Sequence, residues 1–414
     1  MEANARPKLR RLEAFPHEKD GQTWICLHDP ARYTDKVIDV PPTLFHVLTL
    51  IDGTRTREEI QQEVQEVQGR PLAAEDLEAV LSQLDEGLFL EGERFEGHRQ
   101  AQLDAFRNGP HRAPAHAGAA YPADESECRK ALDSYFEHAE GPGSIQATAG
   151  DSKRLRALIA PHIDLDRGGV CSAHAFHKLA SATEAPDLVV VFGTSHQPME
   201  RAFGLTRLGY DTPFGPVESD IEVLAALEER FGDALFEDEL NHRIEHSIEF
   251  QALFLGYLYP ADRRPRMLPV LVGSLHDAVE TGGEPSERAE YVEFLDALRE
   301  TFGRLGRRVV YLAGVDLAHV GKRFGAEEAP DEGELRRIEE ADRASLGHLE
   351  TLDGRSFFRF IAQEEDSRNV CGTAPITAMM ELLDSGAGEL LRYEQSVEPD
   401  TGSVVTYASM AFYE

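Results

Sequence analysis

The stretch LVVVFGTSH, residues 188–196, decides the fold class. Its apolar residues run without a polar interruption and then break into Gly193, Thr194 and Ser195 just before His196. A Val-rich run that ends in small residues reads as a central strand of an α/β sheet, buried on both faces. Three more stretches end in a comparable way. LRALIAPH (155–162) stops at His162, and VVYLAGVDLAH (309–319) stops at Asp316 and His319. SRNVCGTAPI (367–376) carries Cys371 just ahead of a helical pattern. In such sheets ligands bind outside the carboxyl ends of the strands. Four runs, each ending on a residue able to hold a metal or move a proton, therefore point to one site.

The bulk composition bounds the function classes. A chain of 414 residues suits two or three domains, and 41% hydrophobic residues mark it as folded. A formal charge of −33 argues against a nucleic-acid binder, since phosphate needs a basic face. No apolar run approaches the roughly 20 residues that cross a bilayer, so no membrane span is expected. The start, MEANARPKLRRLEAF, lacks the apolar segment of a secretory signal. Four cysteines (Cys26, Cys128, Cys171, Cys371) give no disulfide framework, and the expected location is cytoplasmic.

The chain divides into residues 1–95, a linker over 96–117 and a large unit over 118–414. In the first part TWICLHDP and DKVIDV read as strands, and Leu44, Val47, Leu48 and Ile51 fall at helical spacing. Thr56 followed by Glu59 is a capping-box pattern opening a second helix that Gly69 ends. A third helix and a terminal strand or hairpin complete a small α+β winged-helix pattern. Segment 96–117 mixes charge, Pro and Gly, which predicts solvated linker histidines at His98, His111 and His116. The large unit opens with a turn and an amphipathic helix, followed by a flexible loop over 141–152.

Around the strand ends, Asp164 and Asp166 follow His162 at alternate positions, placed to orient its ring or to cap the next helix. Ser195 is next to His196 but lacks the G-x-S-x-G elbow of a hydrolase nucleophile. Glu245, His246 and Glu249 open a helix. The two glutamates share one face, either as half of a carboxylate metal site or as solvated residues at a helix start. His319 suits proton transfer near neutral pH, Asp316 can charge or orient the site, and Cys371 near a helix start suits a soft ligand or a nucleophile.

Two resemblances add to this reading. The phrase LFHVLTLIDGTRTREEI followed by DLEAVLSQLDEGLFLEGERF resembles the PqqD-like peptide-chaperone domains of pyrroloquinoline-quinone biosynthesis, also called precursor-peptide recognition elements. That resemblance implies a peptide paired near Lys36–Val40 by strand addition, whereas the residues alone also suit a packing module that binds nothing. From about Ala120 onward, the ordered phrases APHIDLDRGG, GTSHQP, YDTPFGPVESD, EHSIEFQALFL, LPVLVGS, GVDLAHVGKRFG and CGTAPITAMMELL resemble the Memo family, also called AmmeMemoRadiSam system protein B. The family is similar in fold to the LigB-like class III extradiol dioxygenases. The resemblance implies His162, His196 and Cys371 as metal ligands, with Asp316 beside them and His319 at the acid–base position. Ile163-Asp164-Leu165-Asp166 departs from the relatives' aromatic-and-glycine phrase and predicts a more acidic pocket.

Two imidazoles and a thiolate leave open positions on Fe(II), the expected metal, and the set also accepts Cu or Zn. The leading expectation is a non-haem iron oxidoreductase, dioxygenase-like, acting on an unknown and possibly peptide-linked substrate. The alternatives are a non-enzymatic metal- or peptide-binding scaffold working with radical-SAM and AMMECR1-like partners, and a zinc-dependent hydrolase.

Overall fold

The computed structural model of the chain describes residues 6–19, 21–145 and 153–414. The expected loop at 141–152 and the basic start therefore lie partly outside the described residues. Two compact units divide the chain, Met1–Asn108 and Gly109–Glu414.

The first unit is a small α+β fold. Strands β1 (Glu13–Lys19), β2 (Gln22–His28) and β3 (Ile38–Val40) form an antiparallel sheet in that order. Helices α1 (Pro42–Thr49), α2 (Arg57–Gln68), α3 (Ala74–Glu86) and α4 (Glu93–Arg107) follow. The capping box forms as expected: Glu59 N donates to Thr56 Oγ1 at 3.2 Å, and Thr56 N donates to Glu59 Oε2 at 2.7 Å. Gly69 ends α2 at φ 69°, a left-handed position that favours glycine. Leu27, Val40, Leu48, Ile60, Leu77 and Leu81 share one core.

Three expectations change here. Strand β1 was not anticipated, because EAFPHEK is almost wholly exposed and shows no apolar alternation; its pairing with β2 creates it. No terminal hairpin follows α3. Leu90 instead makes a single bridge to Leu9. Residues 93–107, largely assigned to the linker, are helix α4, tied down where Phe95 is buried under the Arg10 guanidinium at 4.0 Å.

The second unit opens with α5 (Glu125–Phe136), β4 (Leu155–Ala160), α6 (Leu165–Ala180), β5 (Leu188–Thr194) and β6 (Phe203–Leu205). It continues through α7 (Ile221–Phe231), α8 (His246–Leu258), β7 (Arg266–Val272), α9 (His276–Thr281), α10 (Ala289–Leu305), β8 (Val309–Gly314) and β9 (His319–Val320). Helices α11 (Glu332–Glu350), α12 (Gly354–Gln363) and α13 (Thr373–Glu381) precede β10 (Ala387–Val397) and β11 (Val404–Tyr413). The main sheet runs β10-β11-β4-β8-β5-β7-β6, and β9 pairs with β11. The pairs β4–β8, β8–β5 and β5–β7 are parallel; the flanking pairs are antiparallel.

Side-chain alternation explains the two layers. In β5, Leu188, Val190 and Phe192 enter the core under α7, α10 and α13, while Val189 and Val191 enter the core under α6 and α8. A strand covered on both faces needs apolar residues at every position, hence the continuous run. Gly193 and Gly314 let α8 approach closely, since a Cβ at either would collide with Ser247. That approach brings the start of α8 to the carboxyl ends of β5 and β8.

Candidate metal centre

Three histidines meet above the carboxyl ends of the parallel strands. His162 follows β4, His196 follows β5, and His246 is the first residue of α8. One nitrogen of each lies within 4.8 Å of the others. Ring centroids are 5.1 Å apart for His162–His196 and His162–His246, and 4.7 Å for His196–His246, which stack.

In each ring the Nδ1 side is engaged by an oxygen. His162 Nδ1 donates to Gly314 O at 3.0 Å, and His196 Nδ1 donates to Glu245 Oε1 at 2.9 Å. His246 Nδ1 lies 3.2 Å from that same Glu245 oxygen. Holding the proton on Nδ1 leaves the Nε2 lone pair for a metal, and it fixes the ring's direction. Glu245 is the hub of this arrangement. Buried at the N-cap of α8, it also accepts from the backbone amides of His196 (2.9 Å), His246 (2.8 Å) and Ser247 (3.1 Å).

Electrostatics favour neutral imidazoles at the centre. Burial takes His162 down to about 3, with the neighbouring His196 adding to the effect. Burial also holds His246 well below its ordinary value. Burial opposes charge on His196 too, but Glu245 outweighs it and raises the ring. Burial alone would raise Glu245; His196 and His246 around it hold it well below the usual carboxylate range.

Cys371, Asp316 and His319 stand beside the cluster. Cys371 Sγ is 3.4 Å from His162 Nε2, and burial, reinforced by Asp316, pushes the thiol well up. Asp316 accepts from the amides of His162 and Ile163, both at 3.0 Å, so it orients the His162 turn; burial raises it to about 6. His319 Nδ1 donates to Leu317 O at 3.0 Å, and burial lowers its affinity for a second proton. Beneath them Arg368 pairs with the fully buried Asp342 and with Glu364, while its carbonyl accepts from His319 N at 2.7 Å. The loop before Cys371 thereby holds the loop that carries His319.

The other residues singled out in the sequence lie elsewhere. Asp164 caps α6 and pairs with Arg167, whose Nε is 2.5 Å away, so the expected excess of acidity is neutralised there. Asp166 is exposed. Ser195 donates to Gln197 O at 2.8 Å. Glu249 is turned away from the three rings: it is buried against Arg112 and accepts from Ala115 N, His116 N and Tyr121 Oη. The two glutamates are thus neither a carboxylate metal pair nor solvated residues at a helix start: both are buried, Glu245 serving imidazoles and Glu249 an arginine.

Arg112 was missed. It is fully buried, with Nε donating to His242 O and an Nη to Glu245 O, both at 2.9 Å. It fastens the segment assigned to the linker onto the turn that presents Glu245 and His246. His116 in that segment is likewise not a solvated linker residue: its Nε2 is 2.8 Å from Ile244 O, and its ring packs 5.6 Å from His246. His111 pairs with Glu218 at 3.2 Å.

A parallel-centred α/β sheet with imidazoles, a thiol and a carboxylate gathered at its strand ends defines a candidate metalloprotein fold. The sequence matches the family described as Memo-like protein over residues 112–411, and the chain belongs to that family. A MEMO1 family protein of Aquifex aeolicus is 28% identical over 99% of this chain and 100% of that one. One of Methanopyrus kandleri is 31% identical over 73% of this chain and 98% of that one. The first relative spans both units; the second is accounted for by a match about as long as the second unit. A crystal structure of an uncharacterized Escherichia coli K12 protein matches at TM-score 0.35 and 14% identity, over 62% of this chain and 99% of that chain. Among the described residues no helix is long and apolar enough to cross a membrane.

Proposed function

We propose that this Memo-family protein is a non-haem metal oxidoreductase of dioxygenase-like type, with iron as its metal. The observation that carries the reading is the convergence of three imidazoles whose Nδ1 sides are engaged by oxygens. The donor chemistry fits a metal. His162, His196 and His246 offer borderline nitrogen donors and Cys371 a soft sulfur, a set that accepts Fe(II), Zn(II) or copper. Bound there, iron would supply Lewis acidity and electron-transfer chemistry with oxygen.

The chain's own residues have separable tasks in this reading. Glu245 orients two rings, the Gly314 carbonyl the third, and Asp316 the turn that carries it. His319, neutral by burial and with no hydrogen bond at Nε2 among the described residues, takes up a proton during turnover, and Asp316 exchanges one near pH 6. The first unit recruits a peptide along β3 near Lys36–Val40. In support, β3 is the last strand of its sheet and, among the described residues, pairs on one side only, with β2.

The test is metal content after anaerobic purification from metal-replete cells, compared with His162→Ala/Cys371→Ala and with His246→Ala. Near-stoichiometric iron in the wild type, lost in the double variant and reduced in the single one, is the expected result. Equal, negligible metal in all three would sink the reading and leave the scaffold alternative.

A further inference from the structure

A cleft of about 310 Å³ reaches Cys371 and Ser195 without being lined by any of the three clustered histidines. Its floor is aliphatic, built by Val272, Leu275, Val279, Val370 and Ala374. Its polar lining also holds Ser274, His276 and Asn369, and three of its hydroxyls act alike. Thr194 Oγ1 donates to Cys371 O at 3.1 Å, Ser195 Oγ to Gln197 O at 2.8 Å, and Thr373 Oγ1 to Val370 O at 2.7 Å. Each of these three has spent its single proton on a backbone carbonyl and offers the cleft only lone pairs. Ser274 Oγ accepts from His276 N at 3.0 Å, and Asn369 Nδ2 donates to His319 O at 3.1 Å.

The start of α13 at this cleft would ordinarily bind an anion, but here its donors are used up. Thr373 N donates to Val370 O at 3.2 Å and Ile376 N to Gly372 O at 3.0 Å, while Pro375 has no N–H. Only the Ala374 amide is left in the first turn. Asp366 adds a formal anion to the lining, with Oδ1 accepting from Val370 N at 2.8 Å and Oδ2 in no hydrogen bond among the described residues. Of the cationic or basic groups acting on Asp366, Arg368 is committed to Asp342 and Glu364, and His276 pairs with Glu280 at 3.1 Å.

We infer that this cleft binds a small primary amine with an apolar body, the ammonium group directed to Asp366 and the hydroxyl oxygens and the body to the aliphatic floor. The inference rests on the cleft's own lining and not on the metal reading, so each can fail without the other.

The full-length protein, metal-free and iron-loaded, is titrated by calorimetry with benzylamine, benzoate and benzyl alcohol. Two variants are run beside it. Val279→Phe fills the floor from a partly exposed position, and Asp366→Asn keeps an acceptor for Val370 N but removes the charge. Expected are saturable benzylamine binding at least about tenfold tighter than benzoate, a loss of about fivefold or more in Asp366→Asn, and no binding in Val279→Phe. Benzoate binding as tightly as benzylamine would overturn the inference, as would unchanged benzylamine binding in Val279→Phe or no saturable binding in the wild type.

Discussion

Arg112 offers the sharpest test of how the site is held. Replacing it with Met removes the countercharge from Glu249, which is 1% exposed, and leaves that carboxylate with two amides and the Tyr121 hydroxyl. It also takes the donors from His242 O and Glu245 O. Breaking a buried ion pair on one side costs about 3–5 kcal/mol. For a unit of this size that is a fall of roughly 6–10 °C in the midpoint of its thermal transition, at about 2 °C per kcal/mol. Because the same guanidinium pins the turn bearing Glu245 and His246, metal affinity should fall as well. The assay is differential scanning calorimetry of metal-free protein with metal titration in parallel. The double variant Arg112→Met/Glu249→Gln should recover about 2 kcal/mol, since Gln needs no countercharge and still accepts from the amides. A midpoint within about 1 °C of wild type in Arg112→Met would refute the reasoning, as would a double variant no better than the single one.

Two further outcomes follow from the same structure. Burial holds His162 and His242 near 3 against about 6.5 in an unfolded chain. The unfolded state therefore takes up protons first, and each histidine's contribution, present above pH 6.5, is lost as the pH falls toward 3. By pH 5 that is about 2 kcal/mol each, while Asp316, raised to about 6, returns about 1 kcal/mol. Urea unfolding of the metal-free protein should thus show a loss on the order of 3 kcal/mol between pH 7 and pH 5 from these three groups. His246, also held low by burial, adds to it and His196, raised by Glu245, opposes it; flat or rising stability would contradict the reasoning. Separately, Arg368→Met in a Cys26→Ser background should destabilise the unit by about 3 kcal/mol and raise the rate at which a thiol reagent modifies Cys371 severalfold. Arg368→Met/Asp342→Asn should recover part of the stability, and an unchanged modification rate would show that Arg368 does not hold the Cys371 loop.

What was legible in the sequence follows from where the information sits. Strands β4, β5 and β8 are buried on both faces, so each announces itself as an apolar run, and the residue at its end is fixed by the break in that run. His162, His196 and Asp316 accordingly lie just past the ends of β4, β5 and β8. The chemistry of α8 was only half legible. Spacing put Glu245 and Glu249 on one side of a helix, but which neighbour each meets depends on Arg112, well over a hundred residues away. No local period encodes such a pair. The same holds for β1, which exists because β2 pairs with it, and for the stretch from Glu93 to Ala117, whose Pro, Gly and charge conceal a helix and a buried arginine.

Glu245 places one carboxylate oxygen against two imidazoles at once. His196 and His246 consequently share a pivot, and neither ring can be re-aimed without disturbing the other. Two donors linked in this way come and go together, so the pocket has few half-dismantled states in which a cation could linger on one ring. On the metal reading, a change at Glu245 would weaken both nitrogens together, while a single ion would still titrate over the ordinary one-site range.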